Sequence, residues 1–558
     1  MYQPIDESAY TIPAFNLHHY GTWTHQDVPW VPLEGSPMNV LQSLLTSWTL
    51  GLDWTYWGFR ASSVLFGLVG FLAILAVVRH LVRQAEGERV QLPFPGAAIV
   101  GAVVLLLLVD FSFLIGGRVV EPTIARLAVI ALLLWLVARG TFLGPSHSGA
   151  RSVVLGLLAG LAVGFGYIYN AFLLPGILLS VGVWASSRMS RRDVARHVVL
   201  AGAGIALAIA VYFGWVALVY GQDPRAWYDT WVSTYRVAGR ATSFDLASLW
   251  DLVAGNLFRL DRPLMALSLI ALPVFAWWAR RDRDPLAITV LALAVAFAAQ
   301  ATIQSDYPER KMLVLLAFAV PVAVGGLLRL HDFSAWAAAT RVRLGAWATW
   351  VGLVTLGTLA LALPRAWSVV RRWLDAQHPP ATSTVAYPVG GIGTVLVGAA
   401  IVGLAALVVM LAGWRRPLVA RVAGAVLLLA MVAPLVAIDR RYVYTNVTTA
   451  YRDAMVSVAS LPDAEVTAVG GHAMQLYNDS RSVLQGYVYG MSIPDYEAAV
   501  VRYFAEGRAR WMFSYADDAG KARWEPLGFR VVETYPIRLP KGRTLGRYEY
   551  VGPAAPQS

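Results

Sequence analysis

A chain of 558 residues that is 57% hydrophobic and only 14% charged, with a mean hydropathy of +0.56, is too poor in charge for a soluble protein, which is typically about a quarter charged. With no cysteine, disulfides, thiolate metal sites and cysteine nucleophiles are excluded. The formal net charge of +11 would point to nucleic acid in a soluble fold; here much of it sits in short arginine-rich loops between apolar runs, which reads as membrane topology and sets nucleic-acid partners aside.

The chain opens with a polar stretch, 1–59, that shows no cleavable signal and carries short amphipathic patterns. A membrane span needs about 20 apolar residues. Runs of that order follow at 60–79, 96–116, 122–139, 152–168, 170–187 and 197–219. Others lie at 263–280, 285–303, 311–329, 344–363, 391–413 and 417–437. From 439 to 558 hydropathy falls, with short strands expected at 466–469 and 531–535 and an amphipathic helix at 493–504. The expected architecture is therefore a first loop (1–59), an all-α polytopic membrane domain of about twelve transmembrane helices (60–438) and a small soluble α/β domain (439–558).

Orientation follows from the basic loops. Arg79, Arg83 and Arg89, then Arg139 and Arg151, then Arg188, Arg191, Arg192 and Arg196 lie in alternate short connections. So do Arg280, Arg281 and Arg283, then Arg329, Arg341 and Arg343, then Arg415, Arg416 and Arg421. The positive-inside rule makes that set cytoplasmic. The first loop, the connections near 117–121, 220–262, 304–310 and 364–390, and the C-terminal domain are then extracytoplasmic. To reach the outside, this polar first loop is carried across either by the first span unaided or by a further apolar helix upstream of Met1, and the second is the favoured expectation.

On this outer face the acidic pair Asp6-Glu7 leads through Ser8-Ala9-Tyr10 to Ala14-Phe15-Asn16-Leu17 and Gly21. A carboxylate held near a lipid surface is suited to general-base work, because partial desolvation tunes its pKa. Taken alone, the pair reads more simply as a solvated helix start, since acids favour the first turn of a helix. Asp110 stands inside an otherwise apolar run, where an ionisable group is a functional hypothesis by default. His18, His19 and His25 also lie in the first loop, and read more simply as hydrogen-bonded structure than as ligands. Tyr167, Tyr169 and Asn170 fall at an outer hairpin tip. The aromatic and arginine-rich stretch 220–262 reads as helices lying on the membrane surface.

Four segments together resemble one family. Asp6-Glu7 with its following pattern is similar to the first extracytoplasmic loop of the protein O-mannosyltransferase and aminoarabinose-transferase superfamily, membrane glycosyltransferases of the C-type fold. Trp57-Gly58-Phe59-Arg60-Ala61-Ser62-Ser63-Val64-Leu65-Phe66-Gly67 is similar to the entry of its next helix. Gly117-Arg118-Val119-Val120-Glu121-Pro122-Thr123 lies where that family has its second outer turn. Ser305-Asp306-Tyr307-Pro308-Glu309-Arg310-Lys311, running on from Leu313 to Pro321, looks like the basic entry to a late helix with an internal proline. The likeness spans roughly residues 1–330, and all four segments fall on the face that the arginines assign to the outside.

The resemblance implies a transferase that takes a monosaccharide from a polyprenyl-phosphate donor. Asp6, with Glu7 beside it, would accept the acceptor's proton, and Glu121 would be the second acidic group, orienting sugar or acceptor or holding a metal. Arg310 and Lys311, then Arg60 and Arg118, would neutralise the departing phosphate. Plain snorkelling toward headgroups is the alternative for these four cations, and a helix-start acid is the alternative for Glu121. Relatives of the aminoarabinose type are expected to hold zinc through a histidine from a later outer loop. This sequence has no histidine in 220–262 or 304–310, so a divalent metal stays open and no ligand is assigned. The implied partners are the lipid-linked donor, a glycan, lipid or protein acceptor, and membrane lipids. A lipid-linked-sugar flippase, a glycan polymerase or ligase of another membrane fold, and a non-catalytic membrane receptor are the competing readings.

Overall fold

The computed structural model describes residues 40–52, 56–88, 94–110, 122–144, 147–166, 170–220, 263–303, 313–339, 393–412, 416–439, 466–468, 493–507, 510–536 and 544–552, with a few single positions including Leu17, His18 and Phe113. The first helices are α1 (Val40–Leu52), α2 (Tyr56–Gly87), α3 (Gly96–Leu108) and α4 (Pro122–Ala138). Then come α5 (Gly149–Leu161), continued by a π turn (Ala162–Gly166), α6 (Leu173–Ser186) and α7 (Arg191–Tyr220). The bundle continues with α8 (Pro263–Asp282), α9 (Pro285–Ile303), α10 (Leu316–Leu328) and α11 (Leu330–Ala339), and with α12 (Gly393–Ala412) and α13 (Pro417–Asp439). A helix falls within every apolar run expected from the sequence except 344–363, which lies outside the described residues.

Two boundaries differ from expectation for identifiable reasons. The run 96–116 is not one helix, because α3 stops at Leu108. Asp110 ends it: its Oδ1 accepts the backbone N–H of Phe113 at 2.9 Å, a local bond that competes with continued helix. Asp110 therefore stands beyond a helix end, not within a continuous span. In the other direction, α7 begins at Arg191, so Arg191, Arg192 and Arg196 are helical. Ser190 starts it, its hydroxyl oxygen accepting the N–H of Asp193 at 3.3 Å while the hydroxyl donates to the Asp193 carboxylate at 2.6 Å, a serine N-terminal cap.

Most of the helices are apolar all round, so packing divides their surface between protein and lipid. On α2, Ile74, Val77, Val78 and Leu81 are buried in one core with Ile124, Leu127, Ile130 and Leu134 of α4. The same helix leaves Val64, Leu68 and Leu72 more than half exposed, as expected of side chains that meet acyl chains.

The closest pairing joins α5 to α7 through glycine. Gly156, Gly160 and Gly164, four residues apart, lie on one face of α5 and its π turn, against Ala201, Ala208 and Tyr212 of α7. Gly204 of α7 answers from the other side, against Val153. Association within a bilayer rests on such small-residue contacts, because lipid is as apolar as leucine. A Cβ at Gly156 would collide with the carbonyl oxygen of Ala201, a backbone atom that cannot swing away. Gly156→Val should therefore destabilise the bundle by at least the 1–3 kcal/mol that is typical of overpacking, roughly. Thermal unfolding in detergent would read this as a lowered midpoint, while Gly202→Val, which meets nothing within 4 Å, should leave it in place.

The arginine-rich turns converge at one end of the bundle. Arg188 donates to the carbonyl of Arg283 at 3.1 Å, and Arg283 donates back to the carbonyl of Ser187. Gln84 donates to Asp284 at 3.2 Å, and Arg329, buried against Trp278, pairs with Glu88 at 2.6 Å. The ends of α2, α6, α8, α9's first turn and α10 are thereby tied together. Nearby, the Ser152 hydroxyl lies between His147 Nε2 (2.7 Å) and His197 Nδ1 (2.8 Å). Burial, with His197 and Arg151 close by, pushes the His147 imidazole down to about 4, which keeps its Nδ1 free to accept the Leu143 N–H at 3.1 Å.

The C-terminal elements are β1 (Val466–Ala468), α14 (Ile493–Ala505), β2 (Trp511–Tyr515), α15 (Asp518–Trp524), β3 (Phe529–Pro536) and β4 (Thr544–Tyr550). They form a four-stranded sheet of order β1-β2-β4-β3, with β1 parallel to β2 and the other pairs antiparallel. Val500, Tyr503 and Phe504 of α14 pack against Met512, Trp524, Phe529 and Tyr548. The expected strands and helix are all present. Burial, reinforced by a hydrogen bond to Glu533, raises the Tyr535 phenol from its ordinary 10.0 to about 12. The folded chain then holds that proton more tightly than the unfolded one, so stability from this group is complete below pH 10 and is lost as pH climbs toward 12. Denaturant titrations should show the sheet weakening over that window, and Tyr535→Phe should flatten the dependence.

Candidate active site

At the opposite end of the bundle, away from the arginine turns, polar side chains turn inward. The first of them come from α1, whose polar face is the buried one: Gln42, Ser43, Thr46 and Thr49 are all at or below 3% exposure. Gln42 Nε2 donates to Ser63 Oγ at 3.0 Å, the Thr46 and Ser62 hydroxyls share a bond of 2.7 Å, and Thr49 Oγ1 donates to the Gly58 carbonyl at 2.6 Å. The small residues at 58, 62 and 63 let α1 come close enough for these bonds. Its outward face carries Leu41, Leu44, Trp48 and Leu52, exposed by 41–69%. Such a face suits an apolar surrounding. Leu17 packs beside Val40 of α1 and Tyr212 of α7, so part of the first loop sits against the same region. Arg60, one turn into α2 and half-buried, belongs to this end.

Four further groups complete it. Asp110 is 8% exposed just past α3. Arg126, one turn into α4, is 1% exposed, and its Nε donates to Asn170 Oδ1 at 3.0 Å. Asn170 Nδ2 donates in turn to the carbonyl of Ala162, where the π turn begins, at 2.9 Å. Gln300, near the end of α9, accepts the Phe172 N–H at 2.7 Å. That N–H belongs to the residue preceding α6, where a helix start leaves donors without intrahelical partners. Unlike the apolar interior, this end of the bundle holds a buried layer of charged and hydrogen-bonding groups from α1, α2, α4, α6 and α9.

Of the residues singled out from sequence, Arg60, Asp110 and Asn170 are placed here, while Tyr167 and Tyr169 lie outside the described residues. Asp6, Glu7, Arg118, Glu121, Arg310 and Lys311 lie outside the described residues. Chain continuity limits them all the same. Glu121 immediately precedes α4, and Lys311 stands two residues before the turn at Leu313 that leads into α10. Among the described residues no three His, Asp or Glu side chains gather closely enough to hold a metal ion. His19 and His25 lie outside them. Arg126 and Gln300 escaped the sequence reading. Arg126 was detectable as a lone cation early in an apolar run; Gln300 carries no signal of its own.

No family model and no curated protein sequence matches the chain. Solved structures do. ArnT from Cupriavidus metallidurans bound to undecaprenyl phosphate aligns at a TM-score of 0.56 with 13% identity, over 98% of this chain and 94% of that one. The apo form of the same protein aligns at 0.54 with 14% identity over the same shares. The apo oligosaccharyltransferase of Archaeoglobus fulgidus aligns more loosely, at 0.49 with 12% identity, over 92% of this chain and 66% of that one. The C-type glycosyltransferase fold that the sequence resemblance implied is the fold of this chain.

Proposed function

We propose that this chain is a membrane glycosyltransferase that moves a monosaccharide from a polyprenyl-phosphate donor to an extracytoplasmic hydroxyl of a glycan, lipid or protein. The observation that carries the reading is the whole-chain likeness to a structure holding undecaprenyl phosphate. Fold alone does not fix activity. Support of a different kind comes from the acidic first loop and the cationic segments, which have the chemistry this transfer needs.

In the proposed step the acceptor oxygen attacks the anomeric carbon as the bond from that carbon to the phosphate oxygen breaks, inverting the centre. The acceptor proton passes to the Asp6 carboxylate, and the electron pair of the broken bond leaves with polyprenyl phosphate. Phosphate is already a good leaving group, so the site needs cations over the departing oxygens more than a strong acid. Arg310 and Lys311 take that role, assisted by Arg60 and Arg118, while Glu121 orients sugar or acceptor. Residues 60–438 form the transferase domain of this proposal, and residues 1–59 and 439–558 lie outside the membrane with the site.

Topology tests the arrangement directly. The chain has no cysteine, so Ser8→Cys and Ser558→Cys each offer one thiol to a membrane-impermeant maleimide. Both should label from outside in intact cells. A C-terminal thiol that labels only after permeabilisation would put every proposed site residue on the wrong face and end the proposal.

A further inference from the structure

A buried guanidinium near a membrane-helix end costs more than a leucine in its place, and such groups persist where function retains them. Arg126 is of this kind. It is set among Ile124, Leu127 and Ile130 of the apolar core, and its charge-assisted bond goes to Asn170, 44 residues away. Asn170 is held by the Ala162 carbonyl on the π turn, and π turns recur where a helix has been re-aimed for function. Two residues on, the Phe172 N–H is fixed by Gln300 from α9. The Phe172 ring meets Phe297 of α9 edge-on at 5.2 Å and Phe318 of α10 at 6.2 Å. The short connection 170–172 is thus bonded to the start of α4 and to the end of α9, and packed against the start of α10.

Those helix ends are the roots of the two segments that matter most in the proposed reaction. Glu121 and Arg118 run directly into α4, and Arg310 and Lys311 bridge from α9 to α10. We infer that Arg126, Asn170 and Gln300 are positioning residues: a clamp, anchored on the π turn, that fixes the start of α4 relative to the junction of α9 and α10, and through them the spacing of second acid and phosphate-binding cations. None of the three need touch substrate. The inference rests on the proposed sugar transfer for its purpose, but the clamp itself is a mechanical claim that can be tested without activity.

The mechanical arm uses nitroxides on Val129→Cys of α4 and Ala299→Cys of α9 in the otherwise cysteine-free chain. Pulsed dipolar measurements in lipid should give one narrow distance population, which broadens or shifts when Asn170→Leu or Gln300→Leu is added. The kinetic arm follows turnover from a polyprenyl-phosphate sugar, normalised to folded protein. Asn170→Leu and Arg126→Leu should each lower kcat by about 10–100-fold, the scale of a displacement near 1 Å, with donor KM within about twofold. Their combination should cost little more than either alone, because one interaction is lost twice. Arg126→Lys, which can still donate to Asn170, should recover much of the rate. A role in folding alone would lower the thermal midpoint and leave kcat per folded molecule and the distance population unchanged, which would overturn the inference. If Arg126→Leu does not fold, Asn170→Leu and Gln300→Leu carry both readouts. If no sugar is transferred by the unmodified chain, the functional reading fails while the distance measurement still decides the clamp.

Discussion

Asp6→Asn should abolish sugar transfer while leaving the chain folded and still able to bind donor. The amide keeps the size and much of the hydrogen bonding of the carboxylate, yet it cannot take a proton at neutral pH. The whole loss should therefore fall on turnover, and removing a general base typically costs about 10²–10⁴-fold. Steady-state kinetics beside a binding measurement with undecaprenyl phosphate would separate the two effects. Should Asp6→Asn turn over normally while Glu7→Gln is dead, the two neighbours exchange roles. Should both remain active, the acidic first loop is not the base and the resemblance fails at its centre.

The second large effect concerns the lipid phosphate. On the proposed topology, two adjacent cations in a short outer connection run against the positive-inside bias, so something other than topology favours them there. An anionic phosphate that gains charge as its bond breaks is such a partner. Hydrogen bonds to charged groups are worth about 1.5–3 kcal/mol each, so Arg310→Ala combined with Lys311→Ala should weaken polyprenyl-phosphate binding by roughly 10²-fold or more. Lys311→Arg should be partly tolerated, since a positive charge is the minimum requirement there. Unchanged affinity in the double alanine variant would pass the role to Arg60 and Arg118, which the same binding measurement can then test.

The sequence revealed where helices lie because each occupies a long apolar run; among the described residues five of them, or six if the bent pair Leu313–Leu328 and Leu330–Trp336 counts as one, are long and apolar enough to cross a membrane. The bonds between Arg188 and Arg283, Gln84 and Asp284, and Arg329 and Glu88 bring the arginine-rich turns to one end of the bundle, as their alternation requires. Helix boundaries were less legible. Hydropathy stops where arginine begins, but α2 runs past Arg79 and Arg83 to Gly87 because long basic side chains can extend toward headgroups without breaking a helix. In the opposite sense, a single Asp110 stopped α3 inside a run that averaged as apolar.

The site end shows the same division. Amphipathic helices were expected in the first loop, but pattern alone does not say which face turns inward. On α1 the polar face does, because Ser62, Ser63 and the Gly58 carbonyl offer it partners on α2. The glycines at 156, 160 and 164 stand at regular spacing in the sequence, yet they matter only opposite Ala201, Ala208 and Tyr212. Arg126 acquires meaning only when folding brings Asn170 beside it. The chemistry-bearing residues of the resemblance were legible as residue types in order; the clamp beneath them was not, because it is made of contacts distant in sequence.

The most direct measurement is sugar transfer by the purified chain in proteoliposomes, using polyprenyl-phosphate monosaccharides labelled in the sugar together with an acceptor extract from the cell envelope. The account predicts that label leaves the lipid for a non-lipid-phosphate product, that polyprenyl phosphate is released in equal amount, and that both stop in Asp6→Asn. Label that stays on its lipid carrier and merely crosses the bilayer, or transfer that proceeds undiminished in Asp6→Asn with Glu7→Gln, would contradict it.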